Sequence, residues 1–178
     1  MTKAGHKFAC LNLTEFKTPE EYLKACDVDV RTSINKAKRL TYVIEELTEI
    51  NEVISAQLYD IWTSTNIRQN RSINLNYELL SGKTVLITKE KWPISRYTPN
   101  NRMFVLKSKD KILCYLELDI RGTMAIVHST LGHADYLNNG IMKTLYFEVF
   151  KITWGNFETV VYGQKKDLNY FKKDLLFQ

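Results

Sequence analysis

The sequence predicts an α/β fold: a mixed, mostly antiparallel sheet flanked by helices. Three observations predict it. Helical spacing of apolar residues dominates the first third of the chain. From Arg102 to Leu131 the pattern switches to three β-rich runs with short turns between them, as in a meander. A helical run, a short apolar strand and a last helix follow, so one right-handed parallel crossover joins the sheet. A length of 178 residues suits one domain.

The first dozen residues read as a tail or a short edge strand. Thr18-Pro19-Glu20-Glu21 starts a helix that runs to about Cys26: Thr18 caps it, Pro19 takes the first helical position and Glu21 the capping-box position. Asp29 caps a second helix, with Ile34 and Ala37 as its apolar stripe. Tyr42 to Leu47 is short and rich in β-formers, hence a strand. Thr48 caps a helix to about Ile67, carried by Ile50, Val53, Ile54, Leu58, Ile61 and Trp62. Thr63 to Asn76 continues as helix or loop, and Tyr77 to Leu80 is ambiguous. Arg102–Lys107 and Ile112–Ile120 form a hairpin around Ser108–Lys111, and Met124–Leu131 is the third strand after the Arg121-Gly122 turn. Gly132 to Asn139 is a polar loop. Ile141, Leu145, Val149 and Ile152 mark one face of a helix that runs to about Trp154 and stops at Gly155-Asn156. Thr159 to Tyr162 is a short apolar strand, central in the sheet, and Asp167 caps a helix from Leu168 to about Leu176.

Composition narrows the function classes. At 44% hydrophobic and 25% charged residues the chain is ordinary globular material and not disordered. No apolar run approaches the roughly 20 residues that a membrane span needs. The opening MTKAGHKFACLNL has no apolar core of signal-peptide type. Cys10, Cys26 and Cys114 are odd in number, scattered and outside any zinc spacing, which suits a reduced, cytoplasmic setting. His6, His128 and His133 cannot alone build a metal site, so no metal is expected. The net charge of +5 fits a nucleic acid, a phosphate-rich cofactor or another anionic partner, and equally a soluble surface with surplus lysine.

The element order from about Val28 to Phe177 resembles the GNAT acyltransferase fold, in its FemAB-like branch. Arg31-Thr-Ser-Ile-Asn-Lys-Ala-Lys-Arg39 is similar to that branch's basic R-x-x-I-x-K-A-x-R helix ahead of the first strand. Tyr162-Gly163 followed by Phe171-Lys172 resembles its Y-x-G…F-K ending. The resemblance implies a GNAT-like domain over residues 29–178, with residues 1–28 as an N-terminal tail and short helix packed on it. It implies transfer of an acyl or aminoacyl group to an amine or hydroxyl by direct attack. The donor substrate would be an acyl-CoA or an aminoacyl-tRNA, with no tightly bound cofactor. Two departures stand out. The glycine-rich Q/R-x-x-G-x-G/A donor loop is replaced by Leu131-Gly-His-Ala-Asp-Tyr-Leu-Asn-Asn-Gly140. The C-terminal strands common in the fold are missing after Gln178, or another segment replaces them.

Candidate site residues cluster around that loop. A helix N-terminus offers free N–H groups and the positive dipole end, which suits a donor phosphate. Asn138, Asn139, Gly140 and Ile141 stand there, unless Asp135 or Asn138 simply caps the helix. The resemblance adds the backbone of Ser129, Thr130 and Leu131 as partners of an extended donor arm. His133 with Asp135 pairs a base with an orienting carboxylate; His128, inside a strand, reads as structural. The resemblance gives Lys172 contact with a charged donor or with developing negative charge, and Tyr170 a general-acid role. It also places Arg68, Gln69 and Arg71 over the acceptor cleft, where paired arginines bind phosphate or carboxylate; otherwise they form a solvated helix end. Basic stretches recur at Arg31–Arg39, Lys83–Arg96, Lys165/Lys166 and Lys172/Lys173. Trp92, Tyr97, Tyr170 and Phe171 lie among them, a pattern that fits tRNA or single-stranded nucleic acid. The alternatives are a catalytically silent nucleic-acid- or protein-binding module and a modifier of nucleic-acid bases. A sheet that ends early leaves an edge to cover, which suggests a homodimer.

Overall fold

A computed structural model describes residues 8–65, 67–68, 71–72, 77–80, 83–86, 100–164 and 170–178. In chain order the elements are β1 (Phe8–Asn12), α1 (Pro19–Ala25), α2 (Val28–Ala37), β2 (Tyr42–Leu47), α3 (Glu52–Thr63), β3 (Ile67–Arg68), β4 (Arg71–Ser72), β5 (Tyr77–Leu80) and β6 (Lys83–Leu86). Then come β7 (Asn101–Ser108), β8 (Lys111–Arg121), β9 (Met124–Gly132), α4 (Ile141–Ile152), β10 (Thr159–Gln164) and α5 (Tyr170–Asp174). Six strands form one sheet in the order β1-β10-β9-β8-β7-β2, antiparallel except for the β9–β10 pair. The small hairpins β3–β4 and β5–β6 stand apart from it.

Two apolar layers sandwich the sheet. On one face α3 buries Leu58 and Ile61 against Leu47, Met103, Val105, Ile112 and Tyr115. On the other, α1, α2, α4 and the 170–178 segment bring Tyr22, Ile34, Tyr146, Phe150 and Phe177 onto Phe104, Leu106, Leu116 and Leu118. The long strands β7 and β8 are covered on both faces, which is why they read as near-continuous apolar runs. Among the described residues no helix is long and apolar enough to cross a membrane. Nor do three or more His, Cys, Asp or Glu side chains gather to hold a metal ion there.

Thr18 caps α1 as predicted: its Oγ1 accepts from the Glu21 N–H at 3.2 Å, with Pro19 first in the helix. The cap of α2 is Asp27 and not Asp29. Its Oδ1 accepts from the Asp29 N–H at 2.9 Å, so Asp29 lies inside the first turn, where a carboxylate also favours the dipole. The cap of α3 is Asn51 and not Thr48, with Oδ1 accepting from the Ile54 N–H at 3.0 Å. Asparagine caps at least as well as threonine and stands closer to the buried stripe of Ser55, Leu58 and Ile61. The helix ends at Thr63, and Ile67 belongs to β3. Along α4, Ile152 faces solvent, while Tyr146, Phe147 and Phe150 share the buried face.

The strand beyond β10 comes from the N-terminal part of the sequence. β1 pairs antiparallel with β10 on its outer side. Gln178 straps β1 in turn, its N–H donating to the Cys10 carbonyl at 2.8 Å and its carbonyl accepting from the Cys10 N–H at 3.0 Å. β10 is therefore an inner strand, as its apolar sequence predicted, and β1 and β2 are the outer strands. Asp167 and Leu168 lie outside the described residues.

Candidate functional site

The two parallel strands part company half-way along. β9 pairs with β10 only through Met124, Ala125 and Ile126, set against Thr159, Val160 and Val161. Both strands run on. Each carries a bulge where the ladder stops. On β9 the register with β8 shifts between Ser129 and Val127, so His128 is the extra, solvent-facing residue. On β10 the register with β1 shifts between Val161 and Gln164, around Tyr162 and Gly163. Gly163 has φ +66°, a conformation that glycine adopts without strain. Bulges bend a strand and re-aim its side chains. Here both coincide with the end of the β9–β10 ladder.

Four side chains meet beside the end of that ladder. Tyr146 from α4 stacks on Tyr162 from β10, ring centroids 5.8 Å apart and planes 24° apart. Phe171 from α5 meets Tyr146 edge-on at 5.3 Å. Lys172, the next residue of α5, is only 6% exposed and holds its Nζ 4.3 Å from the Tyr162 ring centroid. A desolvated cation over an aromatic face is worth about 2 kcal/mol. A Cβ at position 163 would lie 3.4 Å from that Nζ, so the ammonium sits close to the Gly163 backbone. Burial pushes the phenols of Tyr162 and Tyr146 up, so both stay protonated. The Tyr-Gly and Phe-Lys pairs, separate in sequence, are thus one structural unit.

The loop singled out in the sequence is a tight structural turn. Residues 134–139 form a 3-10 turn that His133 caps, its Nδ1 accepting from the Asp135 N–H at 3.3 Å. That acceptor role places the ring proton on Nε2, which lies 3.4 Å from Asp60 Oδ2 of α3. Lys111 Nζ stands 3.2 Å from the same Asp60 oxygen and 3.4 Å from Nε2. The His133 N–H donates to the Leu113 carbonyl at 2.8 Å. Asp135 stays exposed, its carboxylate 3.8 Å from Nδ1. Neither Asn138 nor Asn139 caps α4; Gly140 does so through its backbone, at φ +75°. A Cβ on Gly140 would lie 2.5 Å from the Ser33 carbonyl oxygen, so α2 abuts the start of α4 and the glycine permits it. Ile141 is fully buried.

The other predicted residues divide between the two faces of the sheet. Ser129 Oγ lies 3.2 Å from Tyr115 Oη, and Leu131 packs with it on the α3 layer. Thr130 Oγ1 donates to the Tyr115 carbonyl at 3.1 Å. Arg68 and Arg71 are backbone partners across the β3–β4 hairpin, and Gln69 lies outside the described residues. Tyr170 opens α5. Lys165, Lys166, Trp92 and Tyr97 lie outside the described residues. The structure thus brings Lys172 to Tyr162 and leaves His133 in a separate cluster with Asp60 and Lys111. Sequence reasoning missed Tyr146 and those last two. The only trace of Tyr146 was a tyrosine among the apolar positions of α4; Asp60 and Lys111 carried no local signal.

No family model and no curated protein sequence matches the chain. Solved structures match by fold. FemX superposes with a TM-score of 0.65 at 10% identity, over 96% of this chain and 58% of that one. The C-terminal domain of a lysylphosphatidylglycerol synthetase from Agrobacterium fabrum gives 0.63 at 15% identity, over 97% of this chain and 57% of that one. L-PGS from Bacillus licheniformis gives 0.59 at 12% identity, over 97% and 57%. The chain spans less than three-fifths of the length of each. It shares the fold of these structures.

Proposed function

We propose that the chain transfers an aminoacyl group, carried as an ester on an RNA end, to an amine or hydroxyl acceptor at the β9–β10 crevice. The observation that carries this reading is Lys172: a buried ammonium held over Tyr162 where two strands of the sheet separate. A cation in a low-dielectric crevice acts on a nearby developing charge far more strongly than one in water. In the step proposed, the acceptor nitrogen or oxygen attacks the ester carbonyl carbon. The new C–N or C–O bond forms, and the bond to the RNA ribose oxygen breaks. The acceptor's proton ends on that ribose hydroxyl. Lys172 stabilises the oxyanion, and the strand ends fix the geometry.

Two features favour an aminoacyl ester over an acyl-CoA. The glycine-rich phosphate loop is absent, and the start of α4 is occupied by α2 at Ser33. One structural neighbour is named a lysylphosphatidylglycerol synthetase, and a lysylphosphatidylglycerol is an aminoacyl ester, which fits the same chemistry. Within this reading His133 with Asp135 serves as a turn clamp, since its Nδ1 lone pair is engaged by its own backbone.

A second reading has an observation of its own. Tyr146, Tyr162 and Phe171 fill the crevice with rings, which would suit a domain that binds RNA ends by stacking and does no chemistry.

The test compares donors. A minihelix RNA aminoacylated at its 3′ end, at about 100 times its Kd, should raise the melting temperature by several degrees. Coenzyme A and acetyl-CoA should leave it unchanged. Label should then move from the RNA to an amine acceptor. A shift with acetyl-CoA alone would overturn the donor assignment. A shift with RNA and no transfer to any acceptor would favour the binding module.

A further inference from the structure

We propose that the Tyr146 hydroxyl is a catalytic hydrogen-bond donor to the carbonyl oxygen of the bound acyl donor, an assignment that rests on the transfer reading above. Tyr146 is 0% exposed, and its Oη has no hydrogen-bond partner among the described residues. Buried hydroxyls are almost always satisfied, so an unmet one needs a reason. Two hydroxyls stand near it, those of Thr130 and Tyr162, and neither meets it in hydrogen-bond geometry. Thr130 of β9 donates its own hydrogen to the Tyr115 carbonyl, and Tyr162 stacks on the Tyr146 ring. Phe150 and Phe171 meet it edge-on and offer no acceptor.

Packing alone does not call for the oxygen. The ring contacts with Tyr162, Phe150 and Phe171 are contacts that a phenylalanine would keep. The hydroxyl adds only an unmet polar atom in a dry site. Its position gives that atom a use. Tyr146 stacks on the ring over which Lys172 holds its ammonium, in the gap where β9 and β10 separate. Burial also keeps the phenol protonated, so it has a hydrogen to donate. A carbonyl oxygen entering the crevice would meet a directional donor in Tyr146 and a positive charge in Lys172. Both interactions strengthen as negative charge develops on that oxygen.

The test is Tyr146→Phe in the full chain, read by melting temperature and by kcat and KM for transfer from the aminoacylated minihelix. The expected result is an unchanged or higher melting temperature, a KM within about threefold, and kcat lower by at least roughly tenfold, in line with loss of one oxyanion donor. Incorporation of 3-fluorotyrosine at position 146, which makes the phenol a stronger donor at nearly the same size, should restore kcat to wild-type level or above. A wild-type kcat in Tyr146→Phe would overturn the inference alone. So would a fall of several degrees in its melting temperature, since that would reveal a partner within the protein. A wild-type protein that neither binds nor turns over any donor would overturn the transfer reading, and this inference with it.

Discussion

His133 and Lys172 are buried to the same degree, each 6% exposed, and their surroundings differ in kind. The His133 ring is tied on both sides: Nδ1 to its own turn, and Nε2 to Asp60 of α3 beside Lys111 of β8. Lys172 sits over an aromatic face beside the end of the β9–β10 ladder, close to Gly163. The first arrangement uses a polar side chain to fix a turn. The second holds a charge where two strands have stopped pairing. The lesson concerns local motifs. A histidine two residues before an aspartate looks like a base with its orienter, and the same spacing is what a capped turn requires. The proposed site is built from three elements that meet only after folding: α4, β10 and α5.

The comparison can be broken at either end. The largest expected effect is on the turn side. Gly140→Ala forces a Cβ to 2.5 Å from the Ser33 carbonyl at a φ of +75°. Backbone strain plus that overlap should cost about 3 kcal/mol, and the melting temperature should fall by roughly 10 °C. A shift of only a degree or so would mean that α2 and α4 yield easily and that their close approach does not hold the turn.

Lys172→Met comes next. It keeps a long side chain over Tyr162 and removes the charge. Transfer should fall about 100-fold in kcat while the melting temperature holds or rises. Full activity would remove the ammonium from the mechanism.

His133→Ala should show the opposite pattern. Loss of the cap and of the Asp60 contact should cost about 1–2 kcal/mol of stability, with transfer per folded molecule close to that of wild type. His133→Asn retains a capping acceptor and should recover part of the stability. If His133→Ala folds normally and is inactive, His133 is a base after all.

The smallest effect sets the scale for an exposed charge. Arg102 grips Glu46 through two contacts of 2.7 Å. This holds the Glu46 carboxyl below its ordinary value of 4.5. A depressed folded-state value means that the contribution is complete above the unfolded value and is lost as pH falls through the folded one. The pair is about a third exposed on both sides, so solvent screening keeps it under about 1 kcal/mol. Glu46→Gln should therefore lower stability slightly at neutral pH, and the difference from wild type should shrink as pH falls below 4.5 and vanish once the folded-state carboxyl is protonated. A gap that persists in stronger acid would assign the loss to packing.

Much of the fold was legible because it rests on local rules. The meander of β7, β8 and β9 followed from apolar runs broken by turns, and α1 from Thr18-Pro19 with Glu21. Caps were harder where several candidates stood close together, as with Asp27 against Asp29 and Asn51 against Thr48. The partner of β10 was hidden for a physical reason. β1 pairs with it across almost the whole chain, and no local pattern encodes so distant a ladder. The candidate site was legible in halves. The Tyr162-Gly163 and Phe171-Lys172 pairs were visible, but not the stacking of Tyr146 on Tyr162, nor the two bulges where the β9–β10 ladder ends. Those depend on strand register, which one residue can shift.

The most direct test of the crevice is amide hydrogen exchange with and without the aminoacylated minihelix RNA. The donor should slow exchange over residues 127–131 of β9 and 162–164 of β10, where the ladder between them has ended. It should leave residues 133–139 unchanged, because that turn is already bonded within the protein. Protection confined to 133–139 would return the site to the turn and its histidine, and would contradict donor binding between β9 and β10.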